Sequence, residues 1–172
     1  MIRGLSLTQP HASLVSIEAK KIETRSWSTS YRGWLAIHAA KGFPAWARAL
    51  CLEEPFHSHL QRHLLPQADP KTSYLINPAD GLPLGVIVAV TEVYDCRPTS
   101  RPMCGTFAEA WVNKLSEQEY AFGDYSRGRH GLFLRNTHRL PEPIPCKGAL
   151  GLWRLPPDVE QRIREQLPAV RW

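Results

Sequence analysis

The sequence lacks any long apolar run. No stretch of its 172 residues approaches the roughly 20 apolar residues that a membrane-spanning helix needs. The opening residues, MIRGLSLTQPH, also lack the apolar centre of a secretory signal. We therefore expect a soluble, cytoplasmic protein without a membrane partner.

Cysteine is scarce and dispersed, and no pair has the CxxC spacing. The four cysteines are Cys51, Cys96, Cys104 and Cys146. Disulfide frameworks and zinc sites use tighter spacing. Three histidines are close together in FHSHLQRH, but no acidic or cysteine residue has the spacing to complete a metal site. The sequence therefore predicts reduced thiols, no metal site and no organic cofactor.

Internal repeats and low-complexity tracts are absent as well, and the composition is that of an ordinary globular domain. Hydrophobic residues make up 43% of the chain and charged residues 22%, and this length suffices for one domain with its own core. Lys and Arg number 21 against 16 acidic residues, which gives a formal charge of +5. This mild basicity favours a polyanionic partner only slightly.

The spacing of apolar residues predicts short strands with interspersed helices. Pro10 and Pro44 are placed to begin helices, and Thr106 with Glu109 forms a capping box. The predicted strands are RGLSLT, KIETRSW, WLAIHAAK, GVIVAVTEVYD, GLFLRNTHRL and ALGLWRL, and the predicted helices are QPHASLVSIEA, a segment from Pro44 with Trp46, Ala47, Leu50 and Cys51 along one side, TFAEAWVNKL and PDVEQRIREQL. The prolines of PEPIPCKG should keep that segment at an edge of the sheet.

The order of these elements predicts an α+β fold. The strands alternate too irregularly with helices for regular βαβ units, and a small mixed β-barrel with helices packed outside fits better. Residues 1–155 should form one domain, followed by a C-terminal helix and tail at 156–172. Within the domain, the proline-rich stretch 53–83 shows little periodicity, so we expect an irregular insertion or mobile loop there.

The stretch AKKIETRSW carries an unusual density of charge for a strand. Lys21, Glu23, Arg25 and Trp27 share one face of it, and the other face, which includes Thr24, is also largely polar. Such a strand either lies at an edge of the sheet or lines a cleft.

The neighbouring residues favour a cleft that holds a nucleotide-sized ligand. A glutamate between cations stays ionised and orients them, arginine offers planar donors for phosphate or a base edge, and tryptophan offers a stacking surface for a base. The residues that combine these properties are Gln9, Lys20, Glu23, Arg25, Trp27 and Trp34.

The segments SLTQPHASLV, EAKKIETRSW and YRGWLAIHAAK resemble the ASCH domain family, whose signature is G-x-K-x-x-E-x-R. Lys20, Glu23 and Arg25 occupy three of its four places, and Glu18 stands at the glycine place. If that glycine serves a positive φ angle, Glu18 must adopt the same backbone. The resemblance extends over about residues 3–155.

The resemblance implies a PUA-like fold and a ligand class of RNA or its nucleosides and nucleotides. Family members bind RNA, some cleave it, and one branch hydrolyses the amide of N4-acetylcytidine with a Lys–Thr–Glu arrangement. The threonine of that branch occupies the place of Glu23, while Thr24 is one residue along and points to the opposite strand face. Asp124 and Glu119 are candidates for its separate glutamate.

If the protein hydrolyses its ligand, the resemblance and the residue chemistry suggest roles for individual side chains. Lys20 would shuttle a proton, Glu23 would orient it or activate water, and Arg25 with Arg129 would hold phosphate. Trp27 or Trp34 would stack the base and Tyr125 would close over it, whereas His38 is better explained as a satisfied core histidine. A binding module without catalysis, a ribonuclease and an amidohydrolase all remain open, and the oligomeric state is not predicted.

Overall fold

The computed structural model describes residues 1–64, 77–99 and 111–172. Six strands form one sheet: β1 Arg3–Leu7, β2 Ile22–Arg25, β3 Gly33–Ala39, β4 Val86–Pro98, β5 His130–Pro145 and β6 Leu152–Arg154. Five α-helices accompany them: α1 His11–Ser16, α2 Ala45–Leu50, α3 Phe56–Leu64, α4 Glu117–Ala121 and α5 Pro157–Gln166. Two short 3-10 helices are Pro78–Gly81 and Trp111–Lys114.

The strands are arranged in the order β2-β5-β4-β3-β1-β6. β1 pairs with β3 in parallel, and the remaining pairs are antiparallel. The sheet curls into a half-barrel with helices around it. The predicted α+β class and the small mixed barrel with flanking helices are therefore confirmed.

Both faces of the sheet are packed, because the strands alternate their side chains between two apolar clusters. Leu35 and Ile37 pack in one cluster with Val15 of α1. Ala36 packs in the other, together with Ile163 of α5. Val159 and Ile163, four residues apart in the predicted helix PDVEQRIREQL, are the buried residues of α5.

A third cluster corrects the expectation for residues 53–83. The sequence predicts irregular structure there, yet α3 occupies Phe56–Leu64, and its Phe56 and Leu60 are buried beside Ala79 and Leu82. The prediction is wrong for this part because two apolar side chains four residues apart suffice to bury one side of a helix. Residues 65–76 lie outside the described part.

Two further predicted segments differ in extent from the structure. Of the helix predicted over TFAEAWVNKL, residues 106–110 are outside the described part, and Trp111–Lys114 is a 3-10 helix. The proline-rich PEPIP is the end of β5, where it pairs with β4 while β2 pairs only with the other end of the strand. Because the PEPIP end of β5 pairs on one side only in the described part of the chain, it lies at an edge of the sheet, as its prolines require. Within the described ranges, no helix is long and apolar enough to cross a bilayer.

Candidate functional site

The start of the edge strand β2 is fixed by a buried carboxylate from α4. Glu119 accepts hydrogen bonds from the backbone N–H groups of Lys21 at 2.9 Å and Ile22 at 3.0 Å. It also accepts one from the hydroxyl of Tyr125 at 3.3 Å. Because the carboxylate of Glu119 is buried, these bonds offset the cost of removing it from water. The contacts attach β2 to α4 and so set the direction of the side chains that follow.

The turn between α1 and β2 orients Lys20 inward. The N–H groups of Ala19 and Lys20 both donate to the carbonyl of Leu14, at 3.0 and 3.1 Å. Glu18, at the crest of this turn, has φ of 59°, in the left-handed region that favours glycine. The turn therefore has the backbone expected where the signature has glycine.

A cavity of about 500 Å³ opens beside this turn. Its walls combine charged, hydroxyl and aromatic side chains from β1, α1, β2, α2, α3 and the loop after α4. The lining residues are Ser6, Leu7, Thr8, His11, Lys20, Glu23, Thr24, Arg25, Ser26, Trp27, Trp46, Leu50, Phe56, Ala121, Phe122, Gly123, Asp124 and Arg129. The volume is within the range of about 300–1,000 Å³ usual for small-molecule sites.

The ammonium group of Lys20 is held inside the protein, since the residue is only 2% exposed. Its Nζ donates to the carbonyls of Ile22 and Phe122, both at 2.6 Å, and lies 3.7 Å from Oε2 of Glu23. Burial lowers the pKa of Lys20, against the opposing effect of the carboxylates of Glu23 and Glu119. This ammonium group is therefore positioned by the backbone and prepared for easier loss of a proton.

Arg25 approaches the same carboxylate from the other side. Its Nε lies 3.0 Å from Oε1 of Glu23, an ion-pair distance, although the N–H group of Nε lacks a hydrogen bond. Its Nη2 donates to the carbonyl of Ser6 at 2.8 Å. Glu23, which is 7% exposed, thus lies between two cations at the cavity wall. The ammonium, carboxylate and guanidinium groups of the signature meet at one cavity.

The loop after α4 brings a second guanidinium group to the cavity. Nη2 of Arg129 pairs with Oδ2 of Asp124 at 3.1 Å, whereas its Nε is buried without a hydrogen-bond partner. The backbone N–H of Asp124 donates to Oγ1 of Thr24 at 3.1 Å, which holds the loop against β2. Hydrogen bonds from Ser126, and then the charge of Arg129, lower the pKa of Asp124. The acid is therefore an anion that orients Arg129.

Among the lining residues that the sequence did not predict, His11 and Trp46 carry the chemistry that matters most for a ligand. His11, the first residue of α1, packs edge-on against Phe56 with ring centroids 5.9 Å apart, and its Nδ1 is buried without a partner. Burial, followed by the charge of Lys20, lowers its pKa to about 4. Trp46 is 60% exposed although the sequence places it on the same helix side as buried Ala47. The histidine in QPHASLV, close to the signature in sequence, was the signal that could have marked His11 as a site residue. Nothing in the sequence pattern marked Trp46.

Four predicted residues lie outside the cavity lining, and two of them, Gln9 and Tyr125, are close behind it. The side chain of Gln9 donates to the carbonyl of Pro83 at 2.9 Å and accepts from the N–H of Ser13 at 3.0 Å, so it fastens the start of α1. Tyr125 is buried and donates to Glu119, and burial raises its pKa. Both support the cavity from behind.

Trp34 and His38 lie farther away, on β3. The ring of Trp34 packs against Trp172 with centroids 5.4 Å apart, and its Nε1 donates to the carbonyl of Arg171. The ring nitrogens of His38 contact Oγ of Ser6 and the carbonyl of Cys146. Trp34 is therefore not placed to stack a ligand in the cavity, and the hydrogen bonds of His38 agree with a satisfied core histidine.

The donor set of the cavity is suited to a polar organic ligand. Within the described ranges, no group of three or more His, Cys, Asp or Glu residues could hold a metal ion. The cationic and aromatic walls can instead bind an anion and a flat ring at the same time.

Fold and cavity together define a class: an α+β half-barrel whose edge strand presents an ammonium, a carboxylate and a guanidinium group to one aromatic-walled cleft. A scan against protein-family models and a search of curated proteins both find no match to this chain.

Proposed function

We propose that this chain is an ASCH-type protein that binds a nucleotide unit, free or within single-stranded RNA, in the cleft beside β2. The observation that carries the proposal is the convergence of Lys20, Glu23 and Arg25 on a cavity that Trp27 also lines. Their spacing is that of the ASCH signature, and the left-handed backbone of Glu18 supports the assignment of its glycine place. Neither composition nor fold alone would favour this ligand.

The phosphate of the nucleotide would be bound by Arg25 and Arg129. Each has a buried Nε without a hydrogen bond among the described residues, and each lines the cavity. A buried unpaired donor is costly, so an acceptor supplied by a ligand would improve both sites. Guanidinium groups also match phosphate oxygens in geometry, which makes arginine better suited to this role than lysine.

The base would stack on Trp27, which is partly buried next to the two signature residues of β2. An indole ring held by its neighbours loses little freedom when a base stacks on it. Stacking accepts any base, so this wall favours nucleotides in general rather than one sequence.

A hydrolytic reaction at the bound nucleotide is a second candidate, favoured by the geometry of Lys20. A fully buried ammonium group with a lowered pKa, 3.7 Å from a carboxylate, is a suitable proton donor. Ribonuclease chemistry fits better than amide hydrolysis, because β2 pairs with β5 without a register shift and keeps Glu23 at the place of the branch's threonine. Lys20, Arg25 and Arg129 would stabilise the negative charge that develops on phosphorus oxygens.

Isothermal titration with uridine 5′-monophosphate, cytidine and a short single-stranded RNA tests the binding proposal. The wild type should bind the nucleotide and the RNA, and Arg25→Ala should weaken both at least about tenfold, as expected for a charge-assisted hydrogen bond to phosphate. Arg32→Ala is the matched control, because that arginine pairs with Asp95 and does not line the cavity. Absence of binding, or equal loss in both variants, would refute the proposal.

Gel-resolved cleavage of the same RNA tests the catalytic candidate. Lys20→Met should abolish cleavage while circular dichroism shows that the protein remains folded, and release of acetate from N4-acetylcytidine should be absent. A folded Lys20→Met variant with unchanged turnover excludes the role of Lys20. Acetate release by the wild type would instead favour the amidohydrolase.

A further inference from the structure

One side of the cavity is formed by rings and aliphatic carbon rather than charge. We call it the aromatic corner: His11, Trp46, Leu50, Phe56 and Phe122. Phe56 and Phe122 pack edge to face with centroids 4.9 Å apart, and His11 packs edge-on against Phe56. Phe56 and Phe122 are buried and form the packed inner part of the corner.

Two features of the aromatic corner, an exposed indole and an unpaired ring nitrogen, do not contribute to the packing or hydrogen bonding of the fold. Trp46 is the largest apolar side chain of α2, yet it is 60% exposed, while only Ala47 of that helix is buried. The imidazole of His11 packs edge-on against Phe56, and its Nδ1 is buried without a hydrogen-bond partner among the described residues. A buried polar atom without a partner costs free energy, and an indole at a cavity wall offers a broad stacking surface.

We propose that the aromatic corner is the base-reading part of the cleft, in which Trp46 stacks on the base and His11 forms a hydrogen bond with its edge. This inference rests on the proposed function and deepens it, since it makes the planar heterocycle, and not only the phosphate, a requirement for binding. Trp46 would act together with Trp27 as a second stacking wall.

The electrostatics of the corner agree with a neutral ring. Because its pKa is lowered to about 4, His11 is uncharged near neutral pH and presents one donor and one acceptor. A neutral imidazole binds a base edge better than it binds phosphate, which the nearby guanidinium groups attract more strongly. The guanidinium groups would therefore bind the charged phosphate, and the aromatic corner would bind the uncharged base.

Titration of the full chain with uridine 5′-monophosphate and with ribose 5-phosphate tests the inference, because these ligands share the phosphate and differ in the base. The wild type should bind the nucleotide more tightly. Trp46→Ala should weaken nucleotide binding by about tenfold or more, as stacking energies suggest, and leave ribose 5-phosphate unaffected. Trp46→Phe should restore part of the loss, and His11→Leu should weaken the nucleotide selectively.

The control is Leu52→Ala, which removes another exposed apolar side chain just beyond α2 and outside the cavity lining. It should leave both affinities unchanged. If nucleotide binding survives both Trp46→Ala and His11→Leu while Arg25→Ala still abolishes it, the inference fails and the proposed function stands. If both ligands bind equally to the wild type, the inference fails together with stacking of the base on Trp27, and only the phosphate site remains. If neither ligand binds the wild type, the inference and the proposed function fail together.

Discussion

At the scale of single residues, Glu18 adopts a backbone conformation that is unfavourable for any residue with a Cβ atom. Its φ of 59° places Cβ near the following carbonyl, which costs roughly 1–2 kcal/mol for a residue other than glycine. The side chain itself is exposed. The turn nevertheless forms because Ala19 and Lys20 both bond to the carbonyl of Leu14.

Glu18→Gly should therefore stabilise the protein by about 0.5–1 kcal/mol, after the greater freedom of glycine in the unfolded chain offsets part of the relieved strain. The measurement is the midpoint of urea unfolding at unchanged slope. Glu18→Ala is the control, since it keeps Cβ and should bring no such gain. A lower midpoint for Glu18→Gly would show that the carboxylate of Glu18 matters more than its backbone.

His11 predicts an acid-dependent loss of stability. Its pKa is about 4 in the folded protein and 6.5 ordinarily, so between these values the unfolded chain binds the proton more readily. Stability must therefore fall as the pH falls from about 6.5 to about 4, by up to roughly 3 kcal/mol from this residue. Above pH 6.5 both states are uncharged at His11, and its contribution no longer changes.

The comparison of wild type with His11→Gln isolates this effect. Glutamine does not titrate. The unfolding free energy of the wild type should therefore fall relative to that of His11→Gln as the pH is lowered from 7 to 4.5. Denaturant unfolding at several pH values measures it. Parallel curves over this range would mean that His11 gains its proton in the folded state as easily as in the unfolded chain.

At the scale of elements, the loop that follows α4 depends on the absence of a side chain at Gly123. A Cβ there would lie 2.6 Å from the ring of Tyr125, closer than real contacts allow. The neighbouring carbonyl of Phe122 accepts a hydrogen bond from Lys20, and Asp124 bonds to Thr24. Movement of this loop must therefore disturb the positions of Lys20 and Thr24 in the cavity wall.

Gly123→Ala should destabilise the protein by about 1–3 kcal/mol, the usual cost of overpacking, and should weaken nucleotide binding at the same time. Gly42→Ala is the matched control, because a Cβ at Gly42 meets nothing within 4 Å. Thermal unfolding and titration calorimetry measure the two effects. Equal stability of the two variants would show that the ring of Tyr125 moves aside without cost.

The elements that the sequence predicted well are those whose apolar period is long or strongly marked. The run GVIVAVTEVYD supplies most of the thirteen-residue β4, and α5 buries Val159 and Ile163, which are four residues apart. The helix α3 was missed because its segment is short, rich in histidine and bounded by prolines. Its helical form depends on burial of Phe56 and Leu60 against Leu14 of α1 and Phe122, which a local pattern does not reveal.

The same limit applies to the site. Lys20, Glu23 and Arg25 were predictable because their spacing places them on one turn and one strand. The cavity also takes His11, Trp46 and Phe122 from distant segments, and only the folded chain brings these together. Conversely, Gln9 and Trp34 are near the signature in sequence but lie outside the lining, since a short distance along the chain does not decide which way a side chain points.

At the scale of the whole molecule, the total of 21 Lys and Arg residues overstates the number of cations that are free to bind a polyanion. Several surface arginines are neutralised by acidic partners at ion-pair distance. These pairs are Arg32–Asp95, Arg48–Asp80, Arg97–Asp95, Arg135–Glu92 and Arg164–Glu160. A paired guanidinium group has less to gain from phosphate, because binding phosphate would compete with an existing partner. Arg25 and Arg129 are paired as well, with Glu23 and Asp124, but each keeps a buried Nε that lacks a hydrogen bond within the described ranges. Because an acceptor from the ligand would satisfy these two groups, the cleft is the better site for phosphate.

This distribution predicts a shallow salt dependence for RNA binding. If two arginines contact phosphate, the logarithm of the affinity should fall with the logarithm of the salt concentration with a slope of about −1 to −2, so binding weakens only several-fold between 50 and 200 mM salt. Fluorescence anisotropy with single-stranded RNAs of two and twelve nucleotides measures it, and the two lengths should bind with similar affinity per site. A slope of −5 or steeper, or a much higher affinity for the longer RNA, would contradict capture of one nucleotide. It would mean that the RNA backbone follows a basic surface and that the surface ion pairs open to receive it.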